Sequence, residues 1–153
     1  MRTEKSFPTR LTEAPDFLKV FMLDPFEMKV QGIDRTFVDK VFAICDYYLT
    51  DKIEKHSRHI YDIYKLLAIV PLTNELKALI RDVRDVRSQT NICPSAQPGI
   101  EISALLKELV RMKIYKNDYE TITSRILEEP VSYEIAVTAI STIAESGMFE
   151  EKL

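Results

Sequence analysis

Lys40 and Asp62 are the side chains whose types and spacing could do chemistry together, 22 positions apart on neighbouring amphipathic stretches. A lysine reaching a cleft is a point-charge ligand for phosphate. A carboxylate beside it accepts a proton or orients the ammonium. Arg58 stands one helical turn before Asp62, where it either pairs with the carboxylate or adds a second positive charge for an anion. The plain alternative is a solvated lysine and an Arg58–Asp62 surface pair of roughly 0.3 kcal/mol.

Other polar groups carry less. His56 and His59 lie three apart with no third ligand after them, which falls short of a metal site. Lys77, Arg81 and Arg84 form a basic stripe that could touch RNA or phosphate. Asp82 and Asp85 interleave it, as in a self-paired solvated face. Tyr47, Tyr48, Tyr61 and Tyr64 crowd near the Lys–Asp stretch, either to stack on a base or to edge a core. Cys45 and Cys93 match no CxxC or zinc pattern and read as plain thiols in a reducing compartment.

The elements that position these groups are mostly helical. Asp34 is an expected N-cap for a helix over 34–50, whose Phe37, Val41, Ile44, Cys45 and Tyr48 recur every three or four residues. Lys40 projects about 40° from the edge of that apolar arc. After the polar turn 51–56, Ser57 is the expected cap of a second helix running to about Val70, before Pro71. Ile60, Ile63, Tyr64 and Leu67 make its core face, with Arg58, Asp62 and Lys65 opposite. The short turn predicts that the two helices pack antiparallel. Thr73 caps a third helix over about 74–90, with Leu72, Leu76, Leu79, Val83 and Val86 as a packing seam. Asn91 to Gly99 is a loop. Further helices run from Ile100 to about Lys113, from Asp118 towards Pro130, and over 133–146 behind a Ser132 cap and before a C-terminal Gly147.

The first 33 residues differ. Pro8, Pro15 and Pro25 break them up, Arg2 to Phe7 could be a strand, and residues 26–31 alternate as a half-buried strand does. A pair this small needs a sheet partner or covering helices. Residues 17–30 also crowd Phe17, Val20, Phe21, Phe26, Met28 and Val30, which predicts an apolar patch.

Composition bounds the function. The 153 residues are 46% hydrophobic and 29% charged, with three glycines, no tryptophan and a formal charge of −3. That suits a globular domain and excludes a disordered chain. Neither GxxxxGK[ST] nor GxGxxG occurs, and the net charge does not favour nucleic acid. No apolar run reaches the ~18 residues of a membrane span, and MRTEKSFPTR has no signal-peptide apolar segment, so a cytoplasmic location is expected.

Two segments carry a family likeness. Arg35-Thr-Phe-Val-Asp-Lys40 resembles the [ER]-x-[FL]-x-[ED]-K segment of the AbiEii/AbiGii toxin nucleotidyltransferases. Ser57-Arg-His-Ile-Tyr-Asp-Ile-Tyr-Lys-Leu66 resembles their [SP]-R-[DH]-x-Y-D-[LI]-Y-x-L segment, and the Lys-to-Asp gap is family-like. The resemblance runs from Phe7 to near the C-terminus, with DYETITSRIL and PVSYEIAVTAI alike in character more than in motif. It implies that Lys40 contacts nucleotide phosphates, that Asp62 completes the catalytic cluster, and that Arg58 orients Asp62 or contacts phosphate. Intact relatives use Mg²⁺ and an NTP to transfer a nucleotide to an RNA or protein acceptor. The chain departs from the family in having no Gly-Ser turn and no Asp-x-Asp strand to hold triphosphate and metal. Glu4 could match the third carboxylate of the fold.

The sequence therefore predicts a mainly α chain. About five or six helices form a bundle over 34–153, and residues 1–33 are a remnant of the nucleotidyltransferase core with a small β element at 2–7 and 26–31. The expected function is the C-terminal part of a toxin-type nucleotidyltransferase, inactive alone, partnered by an antitoxin, an N-terminal half chain or a second copy. The alternatives are a non-enzymatic helical module that binds a partner protein, and a small RNA-binding helical protein.

Overall fold

The computed structural model describes residues 27–150. The chain divides between Gly32 and Ile33, and the first unit is described only at 27–32. Those residues form neither helix nor strand. This overturns the 26–31 half of the expected β element, while 2–7 lies outside the described residues. Alternation is a local pattern, and a strand also needs a ladder partner to satisfy its backbone. Met28 and Val30, the apolar members, are 68% and 57% exposed. They are also the only described members of the expected 17–30 patch; the rest lie outside the described residues.

The second unit is helical. Its elements are α1 (Ile33–Leu49), α2 (Arg58–Leu67), α3 (Asn74–Ser88), a 3₁₀ turn at Pro94–Ala96, α4 (Ile102–Arg111), α5 (Lys116–Thr121), a 3₁₀ turn at Thr123–Arg125, α6 (Tyr133–Ala136) and α7 (Thr138–Glu145). No β-strand occurs among the described residues. α1 is the hub, packing against α2, α3, α4 and the first 3₁₀ turn, while α4 and α2 both pack on α7. Phe37, Val38, Val41, Phe42, Ile44 and Cys45 on α1 are fully buried. Each fully buried side chain of that size is worth ~1.5–3 kcal/mol of apolar transfer, so this face is what anchors the unit.

The helix ends show which local signals won. Thr73 accepts the Leu76 amide and Ser132 the Ile135 amide, both at 3.3 Å, as capping residues do. Asp34 does not cap: α1 begins one residue earlier, and Asp34 sits in its first turn, accepting the Arg35 amide at 2.9 Å. Ser57 is in helical backbone geometry and makes no capping bond. Its hydroxyl instead meets the Thr123 hydroxyl at 2.7 Å in a buried contact. The expected helix over 133–146 is two segments joined through Val137, which keeps helical angles (φ −69°, ψ −17°). Gly147 follows at φ +72°, the left-handed setting that favours glycine at a helix end.

α3 departs most from expectation. Val86, placed in its seam, is 55% exposed, and Ile80 is buried instead. The helix turns two arginines inward. Arg84 donates to the carbonyls of Ala96 (3.4 Å), Gln97 (3.4 Å) and Ile100 (2.5 Å). Arg87 bridges Asp39 at 3.1 Å and Asp46 at 2.7 Å on α1. Asp46 also accepts the Ser95 amide at 2.8 Å, so one carboxylate joins α1, α3 and the 3₁₀ turn. Arg84 is thus no part of a solvated basic stripe.

Candidate functional site

α1 and α2 run antiparallel, as the pairs across them show. Tyr47 lies against His56 and His59, and further back along α1 Lys40 meets His59 and Asp62. The Lys40 ammonium donates to Asp62 Oδ2 at 2.8 Å across the helix pair. Asp62 is on the flank of α2 that faces α1, and Lys40 on the rim of its own apolar arc. The side chains of Lys40 and Asp62 are 27% and 22% exposed, so the pair sits at the mouth of the interface between the two helices.

His59 is a third member that the spacing argument missed. Its Nδ1 is 3.2 Å from Lys40 Nζ and 3.9 Å from Asp62 Oδ2. Burial first, and then the Lys40 and other nearby cations, push its pKa down to about 4 against the opposing pull of Asp62. The ring is therefore neutral at pH 7. An ammonium can only donate, so Nδ1 accepts and the ring proton resides on Nε2. The signal was present in the sequence: His59 and Asp62 are three apart and share a helix face.

The rings around His59 fix its plane. Tyr47 stacks on His56 with centroids 3.6 Å apart and planes 4° from parallel, and lies parallel to His59 at 5.7 Å. The turn beneath them is clasped from a distance. Asp118 on α5 accepts the Lys55 amide at 2.7 Å and the Ser57 amide at 3.1 Å. Burial alone would raise the Asp118 pKa, but these hydrogen bonds outweigh it and hold the carboxyl below its usual value. Asp51 and Lys55 adopt left-handed backbone (φ 55° and 68°), a conformation costing ~1 kcal/mol each for residues with a Cβ. The clasp gives the turn a reason to hold it.

The remaining candidates scatter. Arg58 is 62% exposed, with Nε 3.8 Å from Asp62 Oδ1. Lys65, expected beside Asp62, turns away to a short contact with Glu129. Glu4 lies outside the described residues. Asp118-Tyr-Glu120 has an Asp-x-Glu spacing, but on a helix, with Asp118 bound to backbone amides and Glu120 3.5 Å from Lys116. Among the described residues no group of three His, Cys, Asp or Glu is placed to hold a metal ion, so these residues by themselves do not fit a Mg²⁺ centre. No described helix is long and apolar enough to cross a membrane.

What this arrangement can do is hold an anion. Lys40 keeps one N–H without a partner among the described residues, and Arg58 stands beside it with an exposed guanidinium. No curated protein and no solved structure matches the chain. A family model does, over residues 3–143, and its description is nucleotidyl transferase AbiEii toxin, type IV toxin–antitoxin system. That span contains α1, α2 and the Lys40–Asp62 pair, and the chain belongs to this family of toxin nucleotidyltransferases.

Proposed function

We propose that α1 and α2 form the nucleotide side of a toxin-type nucleotidyltransferase. Lys40 binds the phosphates of an NTP. Asp62 holds the ammonium in place and serves as the catalytic carboxylate. Arg58 adds charge for the outer phosphates. The observation that carries this is the 2.8 Å Lys40–Asp62 bond, which joins two distant segments of a chain matching the family over most of its length. The partner expected for a member of a toxin–antitoxin family is an antitoxin. Because the sequence carries neither a Gly-Ser turn nor an Asp-x-Asp pair, residues 1–153 alone should bind NTP without transferring it.

Calorimetric titration with the four NTPs tests the binding half. Lys40→Ala should reduce affinity beyond detection, while Lys52→Ala, in the exposed turn, should leave it unchanged. Equal binding by both variants would remove Lys40 from the site. Incubation with radiolabelled NTP and Mg²⁺ tests the other half, and metal-dependent labelling of an acceptor by the purified chain would refute the claim that transfer needs residues beyond these.

A further inference from the structure

We propose that His59 is the positioning residue for Lys40, acting through Nδ1 as a fixed acceptor that aims the remaining ammonium N–H at phosphate. This rests on the reading of Lys40 as the phosphate ligand. Of the three ammonium donors, Asp62 takes one at 2.8 Å and His59 a second at 3.2 Å. With two directions fixed, the third is fixed by the tetrahedral nitrogen. Asp62 alone would set the rotation about Cε–Nζ but leave the flexible lysine stem free to swing the nitrogen about that one contact, and an unaimed donor loses affinity to the entropy of ordering it.

The surroundings suit this role. The charged and titratable groups acting on the ring are Lys40 from α1, Asp62 and Arg58 from its own helix, and His56 from the turn. Tyr47, in near-parallel contact, sets the ring plane. The net cationic, half-buried setting keeps the imidazole unprotonated, which acceptance at Nδ1 requires.

The test uses the whole chain with two variants, His59→Phe, which keeps a ring and removes the acceptor, and His59→Asn, whose amide oxygen can stand near the place of Nδ1. Long-range ¹H–¹⁵N correlation at pH 7 should find the Nε2–H tautomer of His59. The Lys40 ammonium cross-peak, protected from exchange in the wild type, should vanish in His59→Phe and persist in His59→Asn. NTP affinity should fall about tenfold in His59→Phe and recover in His59→Asn, the size of one hydrogen bond to a charged group. An Nδ1–H tautomer, an ammonium signal unchanged in His59→Phe, or two variants equal in affinity would each overturn the proposal. If the wild type binds no NTP, the phosphate-ligand reading fails, while the tautomer and ammonium signals still decide whether His59 holds Lys40. If His59→Phe does not fold, the wild-type tautomer and the His59→Asn signal decide.

Discussion

α1 carries two ionic clusters, and they differ in what they leave open. Around Arg87, Asp46 uses one oxygen for the guanidinium and the other for the Ser95 amide, and Asp39 is shared between Arg35 and Arg87. Around Lys40, the carboxylate takes the ammonium on Oδ2 with only the loose Arg58 contact at 3.8 Å on Oδ1, and Lys40 retains a donor without a partner among the described residues. Arg58 at the rim is mostly in solvent. The residue types are nearly the same. The Arg87 cluster is largely buried and nearly closed, with only the Arg87 Nε lacking a partner among the described residues, and it fixes the packing of helices. The Lys40 cluster has its spare donor at the mouth of a helix interface, where a ligand can reach it.

The comparison is broken most directly at Arg87. Truncating one partner of a buried, hydrogen-bonded ion pair leaves the other charge uncompensated, at a typical cost of ~3–5 kcal/mol. Arg87 is 20% exposed, which lowers the figure, so Arg87→Ala should lose about 3 kcal/mol in urea unfolding. Its NTP affinity, measured where it remains folded, should match the wild type. A mild effect on stability with a large one on binding would reverse the assignment of the two clusters.

The open cluster should instead reveal itself through pH. The ordinary His pKa of 6.5 applies to the unfolded chain, and the folded value is about 4. The unfolded chain therefore binds more protons between these values, so the stabilising effect of a neutral His59 is complete above about pH 6.5 and is lost as pH falls to about 4. Discounted for the partial exposure of the ring, the shift corresponds to roughly 1–2 kcal/mol. Urea denaturation across this window should show that slope, and His59→Asn should flatten it. Asp118 adds a second loss below about pH 4, because its lowered pKa makes its stabilisation vanish as the carboxyl protonates. A slope unchanged in His59→Asn would place the titrating group elsewhere.

The same contrast explains what the sequence allowed to be read. The antiparallel α1–α2 pair follows from a short turn, and the buried Phe37, Val41 and Ile63 from the 3.6-residue period, both local. The Lys40–Asp62 approach rests on the family likeness, since the period alone puts Asp62 on the face opposite the core. The inward arginines of α3 follow from neither. Arg84 looks like part of a solvated face, and Arg87 carries no local signal at all, until three loop carbonyls are brought to the first and Asp39 and Asp46 to the second by tertiary packing. Ser57 has a capping residue's identity, yet Asp118 reached its amide from 61 positions away and Thr123 took its hydroxyl. The strand read at 26–31 failed for the same kind of reason, since an alternating pattern says nothing about whether a neighbour exists. Local period was legible, and partners remote in sequence were not.

Arg58 should show the smallest effect and the finest distinction. It lies 3.8 Å from Asp62, with 62% of its side chain exposed. At that distance and exposure the pair adds little to the fold, within ~0–1 kcal/mol. Its contribution to an anion is that of a nearby charge in water, screened over the ~8 Å Debye length at physiological salt. Arg58→Ala should therefore weaken NTP binding about threefold at low salt and hardly at all at high salt. Arg58→Lys should restore most of the loss, because only charge is needed at such a rim. Lys40 differs in kind, since its donors are directed and partly buried, and Lys40→Arg should not rescue Lys40→Ala. If Arg58→Lys fails to rescue while salt has no influence, the guanidinium makes a directed contact with the nucleotide, and the open cluster extends one helical turn further than the Lys40–His59–Asp62 triangle.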